Sequence, residues 1–324
     1  MDLPIRPRRN RKSPGLRALT RETVLCPGDF VLPLFLHDLE VDEVIPSMPG
    51  CKRWSLDGMV NEAGEALSVG VTAVVLFPAI DHSLKTKRGE ECFNREGLVQ
   101  RAIRALKSAY PELVVMTDVA LDPYSIDGHD GILEEGEILN DETVGILCKQ
   151  AVSQAEAGAD IIAPSDMMDG RIGALRGALD LAGYQKVSIC SYTAKYASAY
   201  YGPFRGALGS APKSGDKKSY QMDPSNRREA LRELSLDQDE GADIVMVKPA
   251  GAYLDIISDV RQHTTLPVAA YQVSGEYLMI KSASAEGWIC EESVMMESLI
   301  AIKRAGADVI LTYFAKEAAK ILKE

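Results

Sequence analysis

Gly241-Ala-Asp-Ile-Val-Met-Val-Lys-Pro249 decides the fold. Glycine suits the left-handed cap that ends a helix, and the apolar run after it is short and does not alternate strictly with polar residues. Such a run reads as a strand buried on both faces, the pattern of a parallel sheet. The same Gly-Ala-Asp phrase stands at Gly158 and Gly306, each time before another apolar run, so it marks three helix-to-strand joins. Eight runs of this kind recur along the chain: Phe30–Leu36, Thr72–Phe77, Leu113–Asp118, Asp160–Pro164, Val187–Tyr192, Asp243–Val247, Pro267–Val273 and Asp308–Tyr313. Between them, Val144, Leu147, Ala151 and Val152 repeat at helical spacing, as do Ile172, Leu175 and Leu179, and then Val294, Ser298, Leu299 and Ile302. Eight strands with intervening helices predict a closed α/β TIM barrel over residues 30–324, with an open doubly wound sheet as the runner-up. Against the runner-up, no strand leads into a GxGxxG fingerprint and no GxxxxGK[ST] phosphate loop exists.

Residues 1–29 stand apart. Arg6, Arg8, Arg9, Arg11, Lys12 and Arg17 are interrupted by Pro4, Pro7 and Pro14, so no long helix and little apolar burial are expected there. The segment is either an arm ordered by a partner subunit or a frayed chain end. The whole chain has 324 residues, 36 basic and 47 acidic, for a net charge of −11, with 46% apolar residues. This is a globular composition whose acidic body argues against nucleic-acid binding, because phosphate neutralisation needs a basic face. Cysteines 26, 51, 92, 148, 190 and 290 form no CxxC pair and read as reduced thiols, which gives an expectation of a cytoplasmic protein. The apolar runs fall far short of the roughly 18 residues of a membrane span. Neither a membrane association nor a secretion signal is expected.

In a barrel the reactive groups belong at the C-terminal ends of the strands. Those positions hold Asp118, Ser165, Asp166, Thr193, Lys195, Lys248, Gln272, Ser274 and Tyr313. A lysine at the edge of the core, with a second ammonium beside it, is pushed toward the neutral amine that condenses with carbonyls as a Schiff base. Lys195 and Lys248, on adjacent strands, are expected to face one mouth and depress each other's pKa. The bland alternative for each is a stem reaching out to solvent. The loop after strand three carries Asp118, Asp122, Asp127, His129 and Asp130. It could hold a hard cation or pass protons, the competing view being a solvated acidic turn. Residues 201–220, rich in Gly, Ser and Lys, read as a mobile lid bringing Arg205, Lys213, Lys217 and Lys218 over a small carboxylate substrate, or as a disordered loop.

Four segments then carry a family resemblance: Ser191-Tyr-Thr-Ala-Lys-Tyr-Ala-Ser198, Tyr200-Tyr-Gly-Pro-Phe-Arg205, Met246-Val-Lys-Pro249 and Tyr271-Gln-Val-Ser-Gly-Glu276. With the arm Arg6–Pro14, they closely resemble the porphobilinogen synthase (5-aminolevulinate dehydratase) family over nearly the whole chain. The resemblance implies an α/β barrel, an arm that wraps a neighbouring subunit of a homo-oligomer, usually an octamer, and condensation of two 5-aminolevulinate molecules to porphobilinogen with loss of two waters. This serves the biosynthesis of tetrapyrroles such as haem and chlorophyll.

Residue by residue, it implies that Lys248 forms the Schiff base with the first substrate and Lys195 with the second. Ser274 and Tyr313 would bind the first carboxylate, and Arg205, Lys217 and Gln221 the second, Lys217 replacing an arginine of many members. Glu233 would hold an allosteric hydrated magnesium between subunits, with Arg11 and Asp169 nearby; without the resemblance Glu233 reads as a helix-surface acid. Zinc-requiring members carry three cysteines where this chain has Ala120, Asp122 and Asp130, so no zinc is expected. A monovalent ion or second magnesium near Asp122 and Asp130 remains an alternative to direct proton handling by these carboxylates. Asp118, Asp122 and Lys195 are the candidates for removing the final ring proton. The rivals are a Schiff-base aldolase on the same barrel and a non-catalytic scaffold whose basic arm binds acidic partners.

Overall fold

A computed structural model describes residues 3–323. Eight strands form the barrel: β1 (Phe30–Leu36), β2 (Ala73–Pro78), β3 (Val114–Val119), β4 (Ile161–Pro164), β5 (Ser188–Lys195), β6 (Ile244–Lys248), β7 (Val268–Tyr271) and β8 (Val309–Leu311). Each pairs in parallel with the next, and β8 returns to β1 through Phe30 opposite Ile310 and Val31 opposite Leu311, which closes the ring. The open sheet is thereby excluded.

The outer layer comprises α1 (Leu56–Ser68), α2 (Leu98–Ala109), α3 (Asn140–Ala157), α4 (Arg171–Leu181), α5 (Gly202–Leu208), α6 (Glu229–Glu240), α7 (Leu254–His263), α8 (Ser274–Ala285), α9 (Glu291–Ala305) and α10 (Ala315–Lys323). The helical periodicities fall as expected, with Leu147 and Ala151 of α3, Ile172, Leu175 and Leu179 of α4, and Leu299 and Ile302 of α9 buried against the strands. Two antiparallel ribbons, Glu43–Val44 with Lys52–Trp54 and Ile132–Glu134 with Glu137–Leu139, lie outside this alternation.

The repeated phrase has a fuller explanation than its glycine. Gly158, Gly241 and Gly306 take φ of +109°, +101° and +125°, which β-carbon-bearing residues rarely adopt. The aspartate two residues on then fastens the sheet: Asp160, Asp243 and Asp308 each accept a hydrogen bond from a backbone N–H of a neighbouring strand, at Val115 (2.8 Å), Ile189 (2.7 Å) and Val268 (2.9 Å). The phrase therefore ends a helix and ties the next strand to its neighbour at the N-terminal face of the barrel.

Strand boundaries differ most at β5, which runs three residues beyond the apolar stretch, through Thr193 to Lys195. Its last residues are polar yet buried in the barrel mouth, so loss of apolarity does not mark the strand's end. The arm contains a 3₁₀ turn, Pro7–Arg11, and a short helix, Pro14–Leu19, whose cap Ser13 accepts from the Leu16 amide; neither has a buried residue. Among the described residues no helix is long and apolar enough to cross a membrane.

Candidate active site

Lys195 and Lys248 end adjacent strands and face each other in the sheet register. Both are buried, at 5% and 6% exposure, which removes the solvent-reaching alternative. Their surroundings are opposite in kind. Lys248 has aromatic rings about it, with its Nζ 5.1 Å from the ring centroid of Tyr192, 5.2 Å from Tyr201, 5.2 Å from Phe204 and 4.7 Å from Tyr271. Burial pushes its pKa down to about 7, and the Lys195 ammonium pushes the same way against Asp118, Asp130 and Asp122. Near pH 7 a large share of this lysine is the neutral amine.

Lys195 instead is held by charge and dipole. Its ammonium donates to Asp130 Oδ2 at 3.1 Å and to the carbonyl of Ser165. The expected depression is thus found at Lys248, and only Lys195 has a carboxylate at hydrogen-bond distance.

The loop after β3 is no solvated turn: Asp118, Asp122, His129 and Asp130 are all buried. The three aspartates part company electrostatically. Burial and then the neighbouring Asp122 raise Asp118 to about 7, where it can both take and give a proton. Burial also acts to raise Asp130, but the ammoniums of Lys195 and Lys217 outweigh it and hold that carboxyl well below the usual carboxylate range. Asp122 is raised by burial, with Lys217 opposing. Lys217 Nζ lies 2.5 Å from Asp130 Oδ1 and 3.6 Å from Asp122 Oδ2, so the protein's own ammonium stands between these two carboxylates. Ala120, Asp122 and Asp130 offer no thiolate and do not fit a zinc site of the three-cysteine kind.

The segment read as a lid is folded over the mouth. It begins with α5, and beyond it Lys217 and Gln221 reach inward, Gln221 Nε2 donating to Asp130 Oδ2 at 3.3 Å. The loop after β3 serves as its seat. His129 bonds the Ser214 carbonyl (3.0 Å) and the Tyr220 hydroxyl (3.1 Å), and the Lys213 amide donates to the Asp127 carbonyl. A β-carbon on Gly128, whose φ is +72°, would lie 2.4 Å from the Ala211 carbonyl, so only glycine permits this approach. Lys213 and Lys218 stay exposed.

One cavity thus gathers Asp118, Asp122, Asp130, Lys195, Arg205, Lys217, Gln221 and Lys248, and its volume is about 30 Å³. That is room for about one water, so substrate entry needs the lid to move. Ser274 and Tyr313 are not on its wall. Ser274 Oγ accepts from the Phe204 amide at 3.0 Å, while the Tyr313 hydroxyl lies 2.9 Å from that of Tyr271. Phe204 belongs to both groups, its amide on Ser274 and its ring near Lys248. The aromatic cage was not anticipated from sequence, although Tyr192, Tyr201, Phe204 and Tyr271 all lie within the segments that carry the resemblance.

Glu233 does not line this mouth; it lies on α6, half-buried in the wall of a second cavity of about 1000 Å³. Asp169, Glu229, Asp237 and Glu240 share that wall with Arg171, Arg227, Arg228 and Arg232. Burial raises the Glu233 pKa and Asp237 adds to it, while Arg171 opposes them. Among the described residues no three His, Cys, Asp or Glu side chains converge as a group that could hold a metal ion. Arg11 of the same chain sits in the exposed arm and does not line this cavity.

A buried lysine at a barrel strand end, a second lysine opposite and a carboxyl raised to about 7 make a site of the kind in which α/β-barrel enzymes act on carbonyl substrates. The comparisons make the family specific. The family model described as delta-aminolevulinic acid dehydratase matches residues 4–321. The chloroplastic delta-aminolevulinic acid dehydratase of Physcomitrium patens is 60% identical over 99% of this chain and 74% of that protein, and the one from Glycine max is 62% identical over 98% and 77%. A solved delta-aminolevulinic acid dehydratase from Toxoplasma gondii ME49, in complex with porphobilinogen, superposes with a TM-score of 0.98 at 52% identity, covering 98% of this chain and 92% of that one.

The chain belongs to the delta-aminolevulinic acid dehydratase family. Its function is the lyase reaction that condenses two 5-aminolevulinate molecules to porphobilinogen in tetrapyrrole biosynthesis. The aldolase and scaffold alternatives are set aside by this membership. The expected cytoplasmic placement is overturned: the plant relatives are named chloroplastic, which points to a plastid. Reduced cysteines separate a reducing compartment from an oxidising one and do not tell one reducing compartment from another.

Proposed function

We propose that the two lysines divide the reaction. Lys248, neutral near pH 7, attacks the ketone of the first substrate; the carbonyl oxygen leaves as water and an imine remains on Nζ. Once protonated, that imine draws electrons from the adjacent carbon, which then loses a proton more easily and becomes nucleophilic. Lys195 forms the second imine in the same way, and the activated carbon attacks the other imine; the lysine left as an amine on the attacked carbon is eliminated, and the free amino group of that substrate adds to the remaining imine and expels the other lysine, closing the ring before its last proton is lost. Asp118 is the best-placed group to take and return protons, because its pKa matches the working pH. Arg205, Lys217 and Gln221, all lining the mouth, bind the second carboxylate once the lid has opened and re-closed. Ser274 and Tyr313 bind the first after Phe204 shifts.

Glu233, with Asp169 near it and Arg11 supplied by a neighbouring subunit, holds a hydrated magnesium whose charge offsets the acid crowding at a subunit junction. The arm, with no buried residue in its turn or helix, is the surface on which a homo-octamer is built. Asp122 and Asp130 work with the Lys217 ammonium between them as their counter-charge.

The observation that carries the division of roles is the aromatic surrounding of Lys248 against the carboxylate pairing of Lys195. Its test is borohydride reduction after incubation with 5-aminolevulinate, followed by peptide mass spectrometry. Reduced adducts are expected on Lys248 and Lys195, and Lys248→Ala should lose the first adduct and turnover together. Normal turnover by Lys248→Ala would refute it.

A further inference from the structure

The hydrogen bonds of the Glu276 carboxylate run to backbone amides, and they link the two strand ends that form the first-substrate site. Glu276 lies in the first turn of α8. Its Oε2 accepts from the amide of Val273 at 2.7 Å, at the start of its own helix, and from that of Ala250 at 3.4 Å. Its Oε1 accepts from the amide of Gly251 at 2.5 Å. Ala250 and Gly251 belong to the turn that begins directly after Lys248 and Pro249, and Val273 precedes Ser274. One carboxylate thus clamps the segment leaving the nucleophile of β6 to the segment carrying Ser274 after β7.

Two further contacts show how closely this junction is built. A β-carbon on Gly251 would lie 2.6 Å from Glu276 Oε1, and one on Gly275 would lie 2.5 Å from the Tyr200 carbonyl at the root of the lid. The same helix turn also receives the Phe204 amide on Ser274 Oγ. The N-terminus of α8 is therefore where the strand end of Lys248, the Ser274 hydroxyl and the first residues of the lid meet. A carboxylate that takes backbone N–H bonds from two separate segments fixes their relative position, which neither segment could do by its own turn.

We propose that Glu276 is a positioning residue for the first-substrate site, holding Lys248 in line with its carbonyl target; this rests on the assignment of Lys248 as a Schiff-base lysine. It acts through place, not charge. The groups that set the protonation of Lys248 are its burial, Lys195, Asp118, Asp130 and Asp122, whereas Glu276 is turned toward backbone amides. Lys195, on β5 and held by Asp130 and Ser165, lies outside the clamp.

The experiment is site-resolved trapping with 5-aminolevulinate and borohydride in the wild-type enzyme, Glu276→Gln and Glu276→Asp, across pH 6 to 9. Glutamine keeps one carbonyl acceptor but turns an amide NH2 donor toward N–H groups that need acceptors, whereas aspartate keeps both acceptors one methylene short and serves if the amide variant does not fold. We expect the initial rate of Lys248 adduct formation to fall about tenfold with an unmoved pH midpoint, while the Lys195 adduct forms at close to the wild-type rate and aspartate restores part of the loss. Adducts falling in equal proportion on both lysines, an unchanged Lys248 rate, or a shifted midpoint would each overturn the positioning role. A wild-type enzyme with no Lys248 adduct would instead refute the Schiff-base assignment on which it rests.

Discussion

Replacing Lys195 by methionine should move the titration of Lys248 upward, and the size of the move follows from the sheet. The two residues are register partners on neighbouring strands. Charges about 5–8 Å apart at an effective dielectric of about 20 repel by about 2–3 kcal/mol, or about 1.5–2.5 pH units. Methionine keeps the length of the side chain and removes the charge. Asp130 retains Lys217 at 2.5 Å, so its carboxylate is not released toward Lys248. From about 7 in the wild type, the midpoint should therefore rise to about 8.5–9.5, and the neutral share at pH 7 should fall about 15- to 150-fold. The assay is the initial rate of borohydride-trapped adduct on the Lys248 peptide as a function of pH, which needs no turnover and is free of competing label because Lys195 is absent. A midpoint equal to or below that of the wild type would refute the claim that a neighbouring ammonium helps keep Lys248 neutral.

Lys217→Met leaves Asp122 and Asp130 facing each other without their shared counter-charge. It should cost about 3–5 kcal/mol of stability at pH 7 in urea denaturation. Because the Asp130 pKa is depressed in the fold, its contribution is present above its unfolded value near 4 and is lost as pH falls through the folded value, so the deficit should shrink in acid. A deficit that grows below pH 4 would contradict this. Glu233→Gln should abolish stimulation by magnesium, while a zinc-selective chelator should leave the wild-type enzyme active; chelator inhibition reversed only by zinc would refute the magnesium assignment. Asp243→Ala, which removes the acceptor for the Ile189 amide, should lower stability by about 1–3 kcal/mol with kcat/KM unchanged. Gly128→Ala should lower turnover by unseating the lid from the loop after β3, seen as faster proteolysis between residues 209 and 219.

The barrel was legible because its signals are local. Each strand is a short apolar run, and three of the joins repeat one phrase, so the eight strands could be placed within a few residues without knowing what touched what. The role of Asp160, Asp243 and Asp308 was not legible, since each bonds an amide on another strand 40 to 54 residues away. At the site, residue type and position singled out Lys195 and Lys248, and burial and charge then separated them. The cage about Lys248 could not be read in the same way: Tyr192, Tyr201, Phe204 and Tyr271 have no common spacing and meet only when β5, β7 and the lid converge. Glu276 escaped for the same reason, because a glutamate in the first turn of a helix reads as an ordinary cap until its second set of partners is seen.

The contrast between the two lysines bears on a difficulty peculiar to joining a molecule to its own twin. Nothing in the shape of either reactant tells the protein which one is to become nucleophile and which electrophile. If both lysines were equally ready, two imines would form at random. Here the rings about Lys248 and the carboxylate and carbonyl that hold Lys195 make the two amines unlike before any substrate arrives. An asymmetric product calls for an asymmetric vessel, and here the asymmetry lies in what surrounds each amine.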